Sequence, residues 1–318
     1  MSLTVNGLTK RYGDKTVVDH LSFQMEKPGV YALLGTNGAG KTTSIRMMLG
    51  MLAKDGGEAL WNGKPLRLET CNVGYLAEER GLYPKYTLMD QLLYFASLRG
   101  VNGAEAKKRI AYWAKRLEVT EYLWPEKTNR QGKTVTAPSL KADQLSKGNQ
   151  QKVQFLLALL SDPELLILDE PMSGLDPVNT DLFKSIIREE IEKGKYLIMS
   201  SHQMATVEEF CTDLTILNRS KTVLQGNLNE IKRGYGRVNL KLKTVEDVSE
   251  QIVRSGARLL SEKEREYQLK VSGEAQAMEL LRALAQSGAT VVTFDLQEPS
   301  LHEIFVEKVG GSDENEQA

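Results

Sequence analysis

The sequence lacks any apolar run approaching the ~20 residues needed to cross a bilayer. Its first residues, MSLTVNGLTKRYG, carry no apolar stretch of signal-peptide length behind a basic region. The expectation is a chain that neither enters nor crosses a membrane by itself. An excess of either charge is also missing: 41 Lys and Arg face 42 Asp and Glu, a formal net charge of −1. No overall field therefore draws the chain to nucleic acid or to an anionic membrane surface, which leaves only a local patch open. Cysteine is scarce. Cys71 and Cys211 lie far apart, in the apolar contexts CNVGYL and CTDLTIL, so a buried thiol at each fits better than a disulfide or a metal site and agrees with a reducing compartment.

What is present suffices for a folded protein. The 318 residues are 41% hydrophobic and 26% charged, which allows two domains and a sizeable core without covalent staples. Up to about residue 66, short alternating or apolar segments (LTVNGL, VVDHLSF, EALW) are separated by turn signals such as Tyr12-Gly13-Asp14 and Asn62-Gly63, the pattern of a small antiparallel β layer. Within it VYALLG, residues 30 to 35, reads as a buried strand entering a Gly-rich loop and then a helix. Ile45, Met48, Leu49 and Leu52 fall at i, i+3, i+4 and i+7 of that helix.

Residues 85 to 160 are mostly helical in pattern. Alternating strands and helices return with LLILDE, NTDLFKSIIREEIEKG and KYLIMSSH, and LTILNRSKTVLQG reads as a hairpin. Near Gly234 and Gly236 the pattern restarts in the order β-α-β-β-α-β-α, which suggests a small split β-α-β domain over residues 235 to 309. The end, residues 310 to 318, is Gly-led, acidic and polar, and reads as a disordered tail.

The strongest local signal is Gly35-Thr36-Asn37-Gly38-Ala39-Gly40-Lys41-Thr42, followed by Thr43. This is G-x-x-x-x-G-K-[ST] between a strand and a helix. Glycines let backbone N–H groups turn inward around phosphates, and the helix N-terminus adds partial positive charge. Lys41 would reach the β- and γ-phosphates, and Thr42 would supply an oxygen to Mg²⁺. A second ligand set is provided by LLILDEP, residues 165 to 171. Its apolar strand ends in Asp169, placed to hold Mg²⁺, and Glu170, placed to accept a proton from an attacking water. Alone, that strand end would be plain punctuation; with the phosphate loop it points to nucleotide chemistry.

Three further stretches complete a pattern: LSKGNQQKVQF (145 to 155), SGLDP (173 to 177) and KYLIMSSH, which ends on His202. With them the sequence resembles the nucleotide-binding domain of ABC transporters, because six elements stand in that family's order over about residues 2 to 230. The resemblance implies an α/β fold: a P-loop NTPase core of ABC type with an antiparallel β subdomain and a helical subdomain (about 85 to 160), together residues 1 to 232, plus the small C-terminal α+β domain. It implies two such domains facing head to tail as a homodimer, with ATP and Mg²⁺ held between the phosphate loop of one and the signature of the other. Ser146 and the backbone at Gly148 would then meet the γ-phosphate of a nucleotide on the second copy. Tyr12 would stack on adenine, His202 would contact the γ-phosphate or the water, and Asp176 would organise the opposing site. Each has a plainer reading: a turn tyrosine, a satisfied strand-end histidine, and a turn-forming Asp before Pro177.

The sequence departs from the family at two places. The signature usually reads LSGGQ and here reads LSKGN, with Lys147 and Asn149 in place of a glycine and a glutamine. The run 124 to 143 is longer and more polar than usual and is expected to be a surface loop insertion. The ending PSLHEIFVEKVG and the appended domain look like bacterial ATP-binding subunits of NatA type, associated with sodium or drug export. A separate transmembrane permease subunit would carry the substrate path and hold this chain at the cytoplasmic face of the membrane. No nucleic acid partner is expected; a soluble ATPase of the same superfamily, acting on ribosomes or DNA, is the alternative.

One stretch leaves its chemistry open by itself. In GYLAEERGLYP, residues 74 to 84, Glu78 and Glu79 stand beside Arg80 ahead of Gly81 and Pro84. They would be a catalytic pair, an exposed ion-pair cluster or part of a hinge. By the resemblance, the Glu78 position is usually a glutamine whose oxygen reaches Mg²⁺. Glu78 keeps the oxygen and replaces an amide donor by a charge, so Glu78 becomes the candidate metal sensor. Glu79 and Arg80 are expected to be a solvated pair, with Gly81 and Pro84 as a pivot.

Overall fold

Alternation over the first sixty positions produces the expected antiparallel layer. The computed structural model describes residues 1–79, 81–129 and 133–314. In it β1 (Leu3–Tyr12) pairs antiparallel with β2 (Lys15–Met25). The chain then runs through β3 (Gly29–Gly35) and α1 (Lys41–Met48) before returning to the layer as β4 (Gly56–Trp61) and β5 (Lys64–Pro65). The strand order is β2-β1-β4-β5. Leu3, Val5, Leu8, Phe23, Ala59 and Trp61 turn inward to one core, as a period of two requires.

The same core is closed from the other side by a six-stranded sheet. After β6 (Val73–Leu76), the helical region carries α2 (Leu88–Leu98), α3 (Gly103–Arg116) and α4 (Thr120–Leu123). Thr87 and Asn102 accept from the backbone N–H of Asp90 and Glu105 and so cap α2 and α3. Ala106, Ile110, Trp113 and Ala114 form the buried stripe of α3. The run expected to be a surface loop insertion holds a short, exposed hairpin: β7 (Glu126–Thr128) pairs with β8 (Thr134–Thr136). Its Thr and Val content favours strand pairing, and all six strand residues are exposed. Residues 130–132 within that run lie outside the described residues.

After a 3₁₀ turn at Ala142–Gln144 come α5 (Lys147–Leu159), β9 (Leu165–Asp169), α6 (Pro177–Glu192), β10 (Tyr196–Ser201), α7 (Met204–Phe210), β11 (Asp213–Asn218) and β12 (Lys221–Asn227). The sheet order is β12-β11-β3-β10-β9-β6. β11, β3, β10, β9 and β6 are mutually parallel. Every residue of β3, β9 and β10 is buried, which is why these strands read as unbroken apolar runs rather than alternating ones. β11 and β12 are joined through Arg219 and Ser220, both with positive φ, the two-residue hairpin turn that matches strand twist.

The chain divides into two compact units, Met1–Gln225 and Gly226 onward. The second begins earlier than the Gly234 and Gly236 signals suggested. Those glycines belong to a helix end: α8 (Leu228–Tyr235), capped by the Asn227 side chain, includes Gly234, and Gly236 ends it at φ 71°. The order continues as β13 (Asn239–Thr244), α9 (Ser249–Arg254), β14 (Arg258–Lys263), β15 (Glu266–Lys270), α10 (Glu274–Gln286), β16 (Val291–Gln297) and α11 (Leu301–Glu314). That is the β-α-β-β-α-β-α series, with sheet order β14-β15-β13-β16 and a core of its own around Leu240, Tyr267 and Leu280. The expected tail is shorter than its composition implied, because α11 runs to Glu314; residues 315–318 lie outside the described residues.

Candidate functional site

The buried strand β3 delivers the chain into a loop that only glycine permits at its two ends. A Cβ on Gly35 would meet Leu217 O at 2.5 Å, and one on Gly40, at φ 106°, would meet Val17 O at 2.5 Å. The loop is thus seated against the backbones of β2 and β11, and Gly40 opens α1. Thr36, Asn37, Gly38 and Ala39 form the turn between, where the Ala39 N–H donates to Thr36 O at 3.1 Å. Lys41, buried, folds back over it: Nζ donates to Gly35 O at 2.9 Å and to Thr36 O at 3.4 Å, and lies 3.7 Å from Glu170 Oε1. An ammonium held by backbone carbonyls at the mouth of a helix N-terminus, with the N–H groups of the loop, is a receptor for phosphate.

Two carboxyls reach the same place from the next strand but one. Asp169 is fully buried, and its Oδ2 has no hydrogen-bond partner among the described residues. Burial pushes the Asp169 carboxyl above its ordinary range; the hydroxyls of Ser200 and Thr42 oppose that rise. A dry carboxylate oxygen without a donor is unfavourable unless a cation completes it. This position therefore fits a divalent metal. Glu170 follows with φ 49°, a left-handed conformation that costs on the order of 1–3 kcal/mol in a non-glycine residue. It is held there because its N–H donates to Ser200 O at 3.2 Å and to Ser200 Oγ at 3.1 Å. On its other side His202 Nδ1 lies 2.8 Å from Glu170 Oε2.

Glu78 enters from the end of β6. The Thr42 hydroxyl donates to Glu78 Oε2 at 3.4 Å. Glu78, Lys41, Thr42, Thr43, Gly38 and Glu170 are among the residues lining a cleft of about 260 Å³. The two adjacent acids therefore separate. Glu79, largely exposed, lies 3.6 Å from Arg46 of α1, and its carbonyl accepts from Gln154 Nε2 of α5 at 3.4 Å. They are not a paired catalytic set. The expected partner of Glu79, Arg80, lies outside the described residues.

The remaining expected residues are not among those lining this cleft. Ser146 caps α5, accepting from the Asn149 N–H at 3.3 Å. A Cβ on Gly148 would touch Leu175 Cδ2 at 3.7 Å, so the start of α5 adjoins the SGLDP turn. Asp176 caps α6, and the Asn179 backbone N–H holds its carboxyl below the usual range. Asp176 and Asn149 line a second, open cleft with Tyr122 and the buried Lys152. Tyr12, at the exposed end of β1, has Lys10 Nζ 5.2 Å from its ring centre.

Sequence reasoning missed Ser200, whose hydroxyl also bonds to Asp169 Oδ1. Its signal was the parallel register in which Ser200 stands beside Asp169, which a single sequence does not reveal. It also missed Tyr122, whose hydroxyl accepts from Asn149 Nδ2 at 2.8 Å and so fixes the residue that replaces the signature glutamine.

The chain is similar to known proteins over nearly its whole length. The family described as ABC transporter matches residues 18–173, and that described as ATP-binding protein DrrA1-3-like, C-terminal domain, matches residues 226–309. An uncharacterized ABC transporter ATP-binding protein YhaQ of Bacillus subtilis (strain 168) is 42% identical over 97% of this chain and 98% of its own. The linearmycin resistance ATP-binding protein LnrL of the same organism is 30% identical over 97% and 98%. A solved structure of an ATP binding subunit of an ABC transporter is 29% identical, with a TM-score of 0.65, covering 74% of this chain and 93% of that one.

Proposed function

The chain belongs to the ABC transporter family as an ATP-binding, ATP-hydrolysing subunit, and from that premise we propose that it drives export through a separate membrane-spanning subunit. Among the described residues no helix is long and apolar enough to cross a membrane, and in this reading another chain builds the substrate path. The resistance-associated relative, similar along nearly the whole length, supports export as the direction. Attachment would be peripheral, at the cytoplasmic face. The single observation that carries the reading is the convergence of Lys41, Thr42, Glu78, Asp169, Glu170 and His202 from four separate segments.

The geometry supports the following roles. The loop N–H groups of Gly35 to Thr43 and Lys41 bind the phosphates of ATP. Thr42, Asp169 and Glu78 would hold Mg²⁺, which would offset phosphate charge. Glu170 accepts the proton of the attacking water, and His202 and Lys41 orient its two carboxylate oxygens. Tyr12, exposed at the end of β1, stacks on adenine. Ser146, Gly148 and Asp176, which are not among the residues lining the phosphate cleft, act on the nucleotide of a second copy, so that ATP closes a homodimer and hydrolysis reopens it. Co-purification from the native host tests the whole reading: a polytopic membrane protein should accompany the tagged chain. Recovery of ribosomes or DNA without one would overturn it.

A further inference from the structure

The charge of Glu78 carries a consequence for how metal and nucleotide depend on each other. Glu78 and Thr42 are in contact at 3.4 Å, and both line the cleft with Lys41 and Glu170. Asp169 is buried behind them, with Oδ2 unpartnered. Two carboxyl groups thus line the position for the phosphates, with a third buried nearby, against one ammonium, and that ammonium is already shared with Glu170 at 3.7 Å. A metal-free triphosphate would enter against Glu78, whereas a cation bridging Glu78 and the phosphates would turn that repulsion into attraction. The carboxyls do not suffice alone: among the described residues no group of three or more His, Cys, Asp or Glu is gathered closely enough to hold a metal.

We propose that Glu78 makes nucleotide binding conditional on the divalent cation, so that neither ATP nor Mg²⁺ binds appreciably without the other. The inference rests on the reading of Glu78 as a metal-facing residue. Coupling of this kind is reciprocal: whatever factor Mg²⁺ adds to ATP affinity, ATP adds to Mg²⁺ affinity. An amide at the same position would offer its oxygen without the charge, and the coupling would weaken. One unit charge a few ångströms from the phosphates, in a partly solvated cleft, changes that factor by about tenfold or more. Any nucleotide-bound state of the wild type would then be a metal-loaded one.

Calorimetric titration of the full chain with the non-hydrolysable analogue AMP-PNP, once with Mg²⁺ and once with EDTA, tests this. The Mg²⁺-to-EDTA affinity ratio should fall about tenfold in Glu78→Gln, mainly because metal-free AMP-PNP binds more tightly. Glu78→Asp, which keeps the charge, should retain a ratio near that of the wild type. Equal ratios for wild type and Glu78→Gln overturn both the proposal and the metal-facing reading. A ratio lowered only by weaker binding with Mg²⁺, with binding in EDTA unchanged, would overturn repulsion by the Glu78 charge as the source of the coupling while leaving Glu78 as a ligand. Circular dichroism melting of both variants separates either outcome from misfolding.

Discussion

His202 Nδ1 sits 2.8 Å from Glu170 Oε2, and the His202 backbone N–H points to the same oxygen at 3.4 Å. The imidazole is half exposed while the carboxylate is buried. One oxygen of Glu170 is therefore engaged by His202 and the other approached by Lys41 at 3.7 Å, at a residue whose φ of 49° is fixed by Ser200. The carboxylate is approached by three groups, the His202 ring, the His202 N–H and the Lys41 ammonium, before any substrate arrives, which is what a general base requires.

The first prediction concerns that carboxylate. Glu170→Gln keeps its shape and its backbone contacts but removes the proton acceptor. Hydrolysis should fall by about 10²–10⁴ with ATP binding retained, and a closed dimer should accumulate. Single-turnover phosphate release and size-exclusion chromatography with ATP check it; unchanged turnover would remove Glu170 as the base.

Two glycines of the phosphate loop should respond differently. A Cβ at Gly40 would strike the Val17 carbonyl at 2.5 Å, whereas at Gly38, φ 80°, nothing stands within 4 Å. Gly40→Ala must displace backbone and should abolish nucleotide binding. Gly38→Ala bears only the left-handed strain of about 1–2 kcal/mol and should fold with weakened binding. Fluorescent-nucleotide titration of the two variants distinguishes them.

A third glycine tests the sheet rather than the site. At Gly74 in β6 a Cβ would lie 2.2 Å from Ala158 O and 2.6 Å from Leu166 Cδ2, so α5 and β9 approach the strand too closely for any side chain. Gly74→Ala should destabilise the first unit by about 1–3 kcal/mol or more, read as a lower urea midpoint with an unchanged slope.

The Cys211 thiol supplies a pH-dependent prediction. Burial, reinforced by the nearby Asp213 and Glu208 carboxylates, pushes it up to about 12, so the folded protein holds almost no thiolate at pH 8. Alkylation there by iodoacetamide should be slow in the native state and rapid in urea, while the partly exposed Cys71 should react natively. Because the unfolded thiol ionises near 9 and the folded one near 12, this group stabilises the fold fully below pH 9 and progressively less as pH rises above it. Equal native labelling of both cysteines would contradict the burial argument.

Much of the fold was legible because its signals are local. VYALLG, LLILDE and KYLIMSSH are apolar throughout, as buried parallel strands must be, and Gly35 to Thr42 carry a loop whose glycines have local reasons to be there. The β-α-β-β-α-β-α order of the second unit appeared directly in the pattern. Gly234 and Gly236 placed the restart of the pattern too late because glycine also serves a helix end, and the exposed hairpin at 126–136 has no buried face to give it periodicity.

The identity of each phosphate-loop residue, and the presence of acids at 78, 79, 169 and 170, were determined by the sequence alone. Which of those acids face one another was decided only by the tertiary structure. Parallel pairing of β10 with β9 on one side and β3 on the other sets Asp169 beside Ser200 and brings Glu170 within reach of both Lys41 and His202. The same sheet sends Glu78 to Thr42 and Glu79 to Arg46. Adjacent side chains at a strand end diverge, so neighbours in sequence serve different partners, and residues more than a hundred positions apart share one cleft.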